Sequence, residues 1–139
     1  MTLNPIEQNE LLGEITKTLT AAAPAGWQRL IFDFLVLGRQ ASPAFGARLG
    51  DGSTQQVRAP KEVSQPLSRL RKGMHAEGIG TWFSLGLVID PPATFHAKFD
   101  RDNEPAFRVP PAADQYVLEQ ERFPRSEQNL PDWFRAKLR

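Results

Sequence analysis

Hydrophobic residues along the chain follow two different spacings, and each change of spacing predicts a new structural element. Between residues 6 and 23 they recur every three or four positions, which predicts an amphipathic helix with its polar side facing water. The same spacing returns over residues 62–76 and predicts a second helix. Residues 27–37 are instead rich in aromatic and branched apolar side chains, which is typical of a central strand.

A hairpin is predicted next, around the dipeptide Asp51-Gly52. Residues 44–49 and 54–59 flank this dipeptide and would form its two strands. Asp-Gly favours a type I′ turn, in which both central residues take a positive φ. Pro60 then prevents further ladder pairing, because proline has no backbone N–H to donate.

A second hairpin is predicted where Asp90-Pro91-Pro92 turns the chain between residues 81–89 and 94–99. Both segments alternate between apolar and smaller or more polar residues, as strands with one buried face do. In the first segment the alternation places Phe83 on the same face as Leu85 and Trp82 on the other face, and it leaves open whether Trp82 points into the core or towards a partner.

A helix over residues 112–122 and a short helix starting at Pro131 complete the predicted order. This order, α-β-β-β-α-β-β-α-α, keeps the strands in hairpins and contains no regular βαβ alternation. We therefore predict an α+β fold: a single domain over residues 1–139, with a mainly antiparallel sheet of about four to five strands and helices packed on one face.

Composition excludes some function classes. The chain has no cysteine, which rules out disulfides, thiolate metal sites and cysteine nucleophiles. Its 17 basic and 16 acidic residues are nearly balanced, which argues against a dedicated nucleic-acid binder. No apolar run is long enough for a membrane span, and the N-terminal segment carries acidic residues where a signal peptide would be basic. We expect a cytoplasmic protein without a membrane partner.

The stretch HAEGIGTWFS, residues 75–84, contains two closely spaced glycines that could begin a phosphate-binding loop. A dinucleotide fingerprint needs a third glycine where Phe83 stands, and a strand before the glycines rather than a helix. We predict instead that Gly78 closes the preceding helix and Gly80 turns the chain into the next strand. No cofactor is predicted.

Residues that could carry catalysis are few. His96 and Asp100 stand four apart on a predicted strand, roughly 13 Å along the chain, which is too far for direct contact. The stretch FDRDNEP, residues 99–105, which we call the acidic loop, lacks the ligand spacing of a calcium-binding loop. We predict no catalytic and no metal-binding residue. A small enzyme using His96 stays an alternative, and it would require His96 to line a concave pocket beside a carboxylate.

A second alternative is a nucleic-acid-binding module. The predicted second helix carries Arg69, Arg71 and Lys72, which we place towards solvent, where such a group is usually only solvated. Nucleic-acid binding would also require an exposed tryptophan beside these charges. The acidic loop is either a solvated turn or a contact patch for a basic or polar partner surface.

Three stretches together resemble one protein family: PAGWQRLIFDFLV (residues 24–36), LRKGMHAEGIGTWFSLGLVIDPPATFHAKFDRDNEPAF (residues 70–107) and ERFPRSEQNLPDWF (residues 121–134). The chain resembles the YezG/EsaG-type antitoxin (immunity protein) family, in the short form met in actinobacteria. The similar features are P-x-x-W before a strand, a helix leading through a glycine turn to Trp82, and F-D-x-D-x-x-P after a strand. The resemblance covers most of the chain.

The resemblance implies a protein without enzymatic activity that binds and neutralises a cognate secreted toxin by occluding its active site. The toxin could be a nuclease, an NAD-degrading enzyme or a deaminase. Many family members are acidic whereas this chain is near neutral, which leaves the three classes open. The partner-binding residues predicted on this basis are Asp100, Asp102, Asn103, Glu104 and Trp82.

Overall fold

The computed structural model describes residues 2–138, and its elements follow the predicted order. Within these residues there are four helices and five strands, with a short 3₁₀ turn before α2 and another before α4. The helices are α1 (Pro5–Ala21), α2 (Ser64–Gly73), α3 (Ala113–Arg122) and α4 (Asp132–Lys137), and the strands are β1 (Trp27–Leu37), β2 (Gln40–Leu49), β3 (Thr54–Val57), β4 (Ser84–Asp90) and β5 (Thr94–Asp100).

The five strands form one antiparallel sheet in the order β3-β2-β1-β4-β5. β1 is central because it is the longest and most apolar strand; its Phe32 lies between Phe45 of β2 and Leu87 of β4. The predicted α+β fold with an antiparallel sheet is confirmed.

Helices α1 and α2 cover one face of the sheet and form the main core with it. α1 begins with a capping box, in which Asn4 and Glu7 bond each other's backbone N–H groups. Its buried side, which includes Ile15 and Leu19, packs on the sheet together with Leu67 and Leu70 of α2 and a row of strand side chains: Leu30, Phe32, Phe45, Ala47, Leu85, Leu87 and Ile89.

Helices α3 and α4 build a second, smaller apolar cluster. Tyr116 of α3 and Phe134 of α4 are buried against Leu37, the last residue of β1, and Phe83, which precedes β4. The rings of Phe83 and Phe134 lie 5.7 Å apart, a normal distance for packed aromatic pairs. The C-terminal helices are therefore packed onto the sheet at the end of β1.

The predicted type I′ turn at Asp51-Gly52 is wrong. Gly52 has a φ of +86°, but no residue other than glycine has a positive φ within residues 2–138. The Gly52 N–H donates to Leu49 O at 3.0 Å, and the Leu49 N–H donates to Ser53 O at 2.9 Å, which makes a three-residue loop. The Asp51 carboxylate accepts from the Ser53 N–H and hydroxyl, a local bonding pattern that stabilises the turn.

The predicted end of the second helix is also wrong. α2 ends at Gly73, so Gly78 lies beyond the helix and does not close it. Gly73 packs against Leu3, where a Cβ would clash, and its carbonyl accepts from the Leu3 N–H at 2.8 Å. Gly78 and Gly80 instead shape a tight turn after the helix, with φ of +77° and +80°.

The predicted alternation fails just before β4. Trp82 is fully buried in the main core beneath the helices, whereas Phe83 belongs to the second cluster. The regular strand begins only at Ser84, and from there the predicted alternation holds, with Leu85 and Leu87 buried. A bend at Phe83 therefore exchanges the faces that the sequence predicts for these two aromatic residues.

Candidate protein-binding site

The sheet face opposite α1 and α2 is open along its centre. Asp33 of β1 lies beside Gly86 of β4, and Gly86 lies beside Lys98 of β5. Gly86 has no side chain, so a depression of about 330 Å³ lies between the two charged residues. Its lining also includes Leu35 and Ser84 from neighbouring rows. We call this surface, with the half-buried Ile31 and Val88, the open face.

The predicted acidic loop begins at the end of β5, where Asp100 lines the same depression. The Asp100 carboxylate organises the loop by accepting hydrogen bonds from the Asp102 N–H at 2.9 Å, and from the N–H and side-chain amide of Asn103 at 3.0 and 2.9 Å. The side-chain hydrogen bond from Asn103, followed by the two backbone bonds, lowers the pKa of Asp100. Asp100 thus has its oxygens occupied within the loop.

Two side chains from the C-terminal segment donate hydrogen bonds to the backbone of the acidic loop. The Trp133 indole N–H donates to Asp102 O at 2.9 Å, and Arg125 Nη2 donates to Arg101 O at 2.7 Å. The side chains of Asp102, Asn103 and Glu104 remain exposed. The loop therefore presents two carboxylates and an amide on a backbone that is fixed at several points.

Trp82 does not join the predicted site residues on this surface. Its side chain is fully buried, and its ring packs 5.4 Å from Phe99 and 6.2 Å from Phe34. The prediction that it contacts a partner is therefore not met by this structure. Its indole nitrogen is buried without a hydrogen-bond acceptor among residues 2–138.

His96 lies exposed on β5, opposite Val88 of β4. The enzyme alternative required this imidazole to line a concave pocket beside a carboxylate. Asp100, the carboxylate that the sequence places nearest along the strand, is occupied by the loop, and Asp90 pairs with Arg29 at 2.8 Å. The geometry around His96 does not favour a general base.

Arg71 is buried, which corrects the prediction that it faces solvent. Its Nη2 forms an ion pair with Glu119 at 2.5 Å, and its Nε donates to Trp82 O at 2.9 Å. Burial lowers the pKa of Arg71, and the Glu119 carboxylate acts in the opposite direction. Arg69 and Lys72 are exposed, but none of the three tryptophans is. The nucleic-acid alternative thus loses one of its charges and its stacking platform.

The sequence contains a pattern from which the buried ion pair of Arg71 and Glu119 could have been predicted. Arg71 stands at helical spacing with Leu67, Leu70 and Met74, so it lies on the apolar stripe of its own helix. Glu119 stands in the same way three residues after Tyr116. Opposite charges on two apolar stripes indicate a buried ion pair, because such residues are rarely buried without a partner.

Arg125 is a further structural residue that sequence reasoning missed. Its guanidinium lies 4.7 Å from the centre of the Phe83 ring, and its Nη2 also donates to Thr81 O at 2.9 Å. Burial lowers its pKa, and nearby carboxylates, Asp102 first, oppose this. No sequence pattern marks Arg125, because two of the three backbone carbonyls that accept from its guanidinium, Thr81 O and Arg101 O, are distant along the chain.

Neither a metal cluster nor a membrane segment is found in the described part of the chain. Residues 2–138 contain no group of three or more histidine, aspartate or glutamate side chains arranged to hold a metal ion. No helix among them is both long and apolar enough to cross a membrane. In comparisons with known proteins, no family model and no curated protein matches the chain. The resemblance to the YezG/EsaG-type family stays a prediction from the sequence.

Proposed function

We propose that this chain is an immunity protein, an antitoxin that binds and neutralises a cognate bacterial toxin in the cytoplasm by occluding its active site. The observation that carries the proposal is the fixed acidic loop beside the open face. The sequence resemblance supplies the class of partner, and the loop supplies a surface suited to one.

The loop suits protein recognition because it is ordered before a partner arrives. Anchoring by Asp100, Trp133 and Arg125 means that little backbone entropy would be lost on binding. The exposed carboxylates of Asp102 and Glu104 complement a basic or polar surface and would accelerate encounter with it.

The open face adds an apolar contribution next to these charges. Ile31, Leu35 and Val88 are half-buried across its two central strands, with Asp33 and Lys98 in the intervening row. Apolar side chains surrounded by charged ones are typical of the centre and rim of a protein interface. A toxin seated here would contact the loop and the sheet together.

The activity of the toxin stays open between a nuclease, an NAD-degrading enzyme and a deaminase. The acidic loop would suit the basic active-site surface of a nuclease. The net charge of +1 does not favour that class over the others. Once the toxin is identified, assays for nucleic-acid cleavage, NAD degradation and base deamination distinguish the three classes.

The decisive experiment is co-expression with the product of the adjacent gene. We expect that product to arrest growth when expressed alone, and this chain to restore growth by forming a complex with it. If the neighbouring product is not toxic, or remains toxic in the presence of this chain, the proposal fails.

Within such a complex, we expect the double variant Asp102→Lys/Glu104→Lys to weaken binding by at least about tenfold, since two attractive charges become repulsive. Isothermal titration calorimetry measures the change. The matched control is Glu10→Lys/Glu14→Lys, which reverses two exposed charges on α1. Unchanged affinity in the loop variant, or equal losses in both, would contradict the role of the loop.

A further inference from the structure

A second concave site lies away from the open face and the acidic loop. It is a cavity of about 380 Å³ between α2, the turn after β1 and the end of α3. Three of its lining residues are cationic, and none is acidic. The residues used below are Gly38, Ser68, Arg71, Lys72, Arg122 and Phe123. We call it the basic cavity.

Arg71 is built into the wall of this cavity. Its Nε is bonded to Trp82 O and its Nη2 to Glu119, so the guanidinium plane is fixed. Its ring neighbours are Trp82 and Phe123, whose centres lie 5.9 and 5.2 Å from the guanidinium carbon. Nη1 has no hydrogen-bond acceptor among residues 2–138, so its N–H groups remain as donors for a ligand.

The charge of the basic cavity is not balanced by its surroundings. Lys72 and Arg122 are exposed, and neither has a carboxylate within 4.0 Å in the part of the chain that the structure describes. Among these three cations, only Arg71 pairs with a carboxylate, that of Glu119. One Glu119 oxygen contacts Arg71, and the other accepts a hydrogen bond from the Gly38 N–H at 2.9 Å. Three cations against one carboxylate leave two positive charges in excess.

We infer that the basic cavity binds the phosphate group of a small phosphorylated molecule. A fixed guanidinium with an unused N–H is suited to a phosphate oxygen, and Lys72 and Arg122 would supply point charges around it. The Ser68 hydroxyl lies in the lining as a further donor. The inference does not depend on the proposed toxin binding, since the lining of the basic cavity shares no residue with the open face or the acidic loop.

The charge balance favours phosphate over carboxylate. A phosphate monoester carries about −1.5 to −2 charges at pH 7, which matches an excess of two, whereas a carboxylate carries only one. The Phe123 ring forms an apolar wall, which suits an organic group attached to the phosphate. The volume lies at the lower end of the range for small-molecule sites.

The test is titration of the full chain, by calorimetry or NMR, with phenyl phosphate, inorganic phosphate and benzoate at one ionic strength. We expect phenyl phosphate to bind best, inorganic phosphate more weakly, and benzoate at least about tenfold more weakly than phenyl phosphate. The proposal is overturned if neither phosphate probe binds at millimolar concentration, or if benzoate binds as well as phenyl phosphate.

The variants decide where a bound probe sits. Lys72→Gln/Arg122→Gln removes the two exposed cations and should weaken phenyl phosphate binding by at least about tenfold. Lys17→Gln/Arg58→Gln removes two exposed cations that do not line the basic cavity. This variant should bind phenyl phosphate with an affinity within about twofold of wild type. Circular dichroism checks that both variants fold. Equal weakening in the two variants would show binding by net charge alone and overturn the site.

Discussion

At the scale of single residues, the pair Arg71–Glu119 connects four parts of the fold. Arg71 reaches from α2 to the backbone of Trp82, and Glu119 reaches from α3 to the N–H of Gly38. Buried ion pairs add little net stability, because desolvation offsets their attraction. Removing one partner is costly, however, because the other charge stays buried. The pair therefore fixes how α2, α3 and the turn after β1 fit together.

Glu119→Gln should lower the free energy of unfolding by roughly 3 kcal/mol, since it keeps the side-chain shape but leaves the Arg71 charge uncompensated. Chemical denaturation measures the loss. Glu121→Gln, an exposed neighbour on the same helix, serves as the control and should change stability by less than about 0.5 kcal/mol. A loss below about 1 kcal/mol for Glu119→Gln would show that Arg71 finds another partner.

Asp100→Asn should lower the free energy of unfolding by about 1 kcal/mol at pH 7, because charge-assisted hydrogen bonds to the loop become neutral ones. The pKa of Asp100 is lowered in the folded chain, chiefly by the Asn103 side chain. Its stabilising contribution is therefore present above the unfolded pKa of about 4 and is lost as pH falls through the lower folded value.

The difference in the free energy of unfolding between wild type and Asp100→Asn should thus become smaller as pH falls below about 4. Denaturation at pH 7, 5, 3 and 2 follows this difference. The other carboxylates with a lowered pKa, Asp51 and Asp90, are present in both proteins and cancel in the comparison. A difference that stays constant over this range would mean that the Asp100 charge does not stabilise the loop.

At the scale of elements, the glycine turn after α2 is a docking place for the C-terminal segment. The turn is closed by mutual backbone hydrogen bonds between Ala76 and Gly80, each at 3.0 Å. Gly78 O then accepts from the Ser126 N–H at 2.8 Å and from the Asn129 amide at 3.0 Å. The positive φ angles of Gly78 and Gly80 and this packing together give the two glycines a structural role.

Gly80→Ala should destabilise the chain by about 1–3 kcal/mol more than Gly26→Ala does. Both glycines have a φ of +80°, so the backbone strain is similar. A Cβ at Gly80 would lie 2.5 Å from Arg125 Nε, whereas nothing lies within 4 Å at Gly26. Thermal and chemical unfolding compare the two variants. Equal losses would show that the Arg125 side chain moves aside freely.

Sequence periodicity was enough to predict the order of the elements and two hairpins, β2–β3 and β4–β5. It missed the hairpin of β1 with β2, which begins at Gln40 and not at residue 44. It could not predict the exchange of Trp82 and Phe83, because that depends on hydrogen bonds to residues distant in sequence. The Phe83 N–H donates to Asp100 O at 2.8 Å, and the Val36 N–H donates to Phe83 O at 2.9 Å. The exposed loop residues were predictable from polarity, but their anchoring by Trp133 was not.

At the scale of the whole molecule, a near-neutral net charge conceals two local charge patterns. The acidic loop follows β5, while the basic cavity lies between α2 and the end of α3. Because salt screens exposed charges beyond about 8 Å under physiological conditions, a partner responds mainly to the charges of the surface that it contacts. The charge of each surface, rather than the net charge of +1, therefore determines which partners that surface attracts.

The two outermost strands of the sheet have a consequence for solubility. β3 has only four residues and is followed by Pro60, and β5 carries Lys98 before it ends in the turn at Asp100. Short strands, prolines and lysines at sheet edges discourage pairing with strands of other molecules. We therefore expect this chain to resist edge-to-edge aggregation at high concentration, and a partner to dock against its faces rather than extend its sheet.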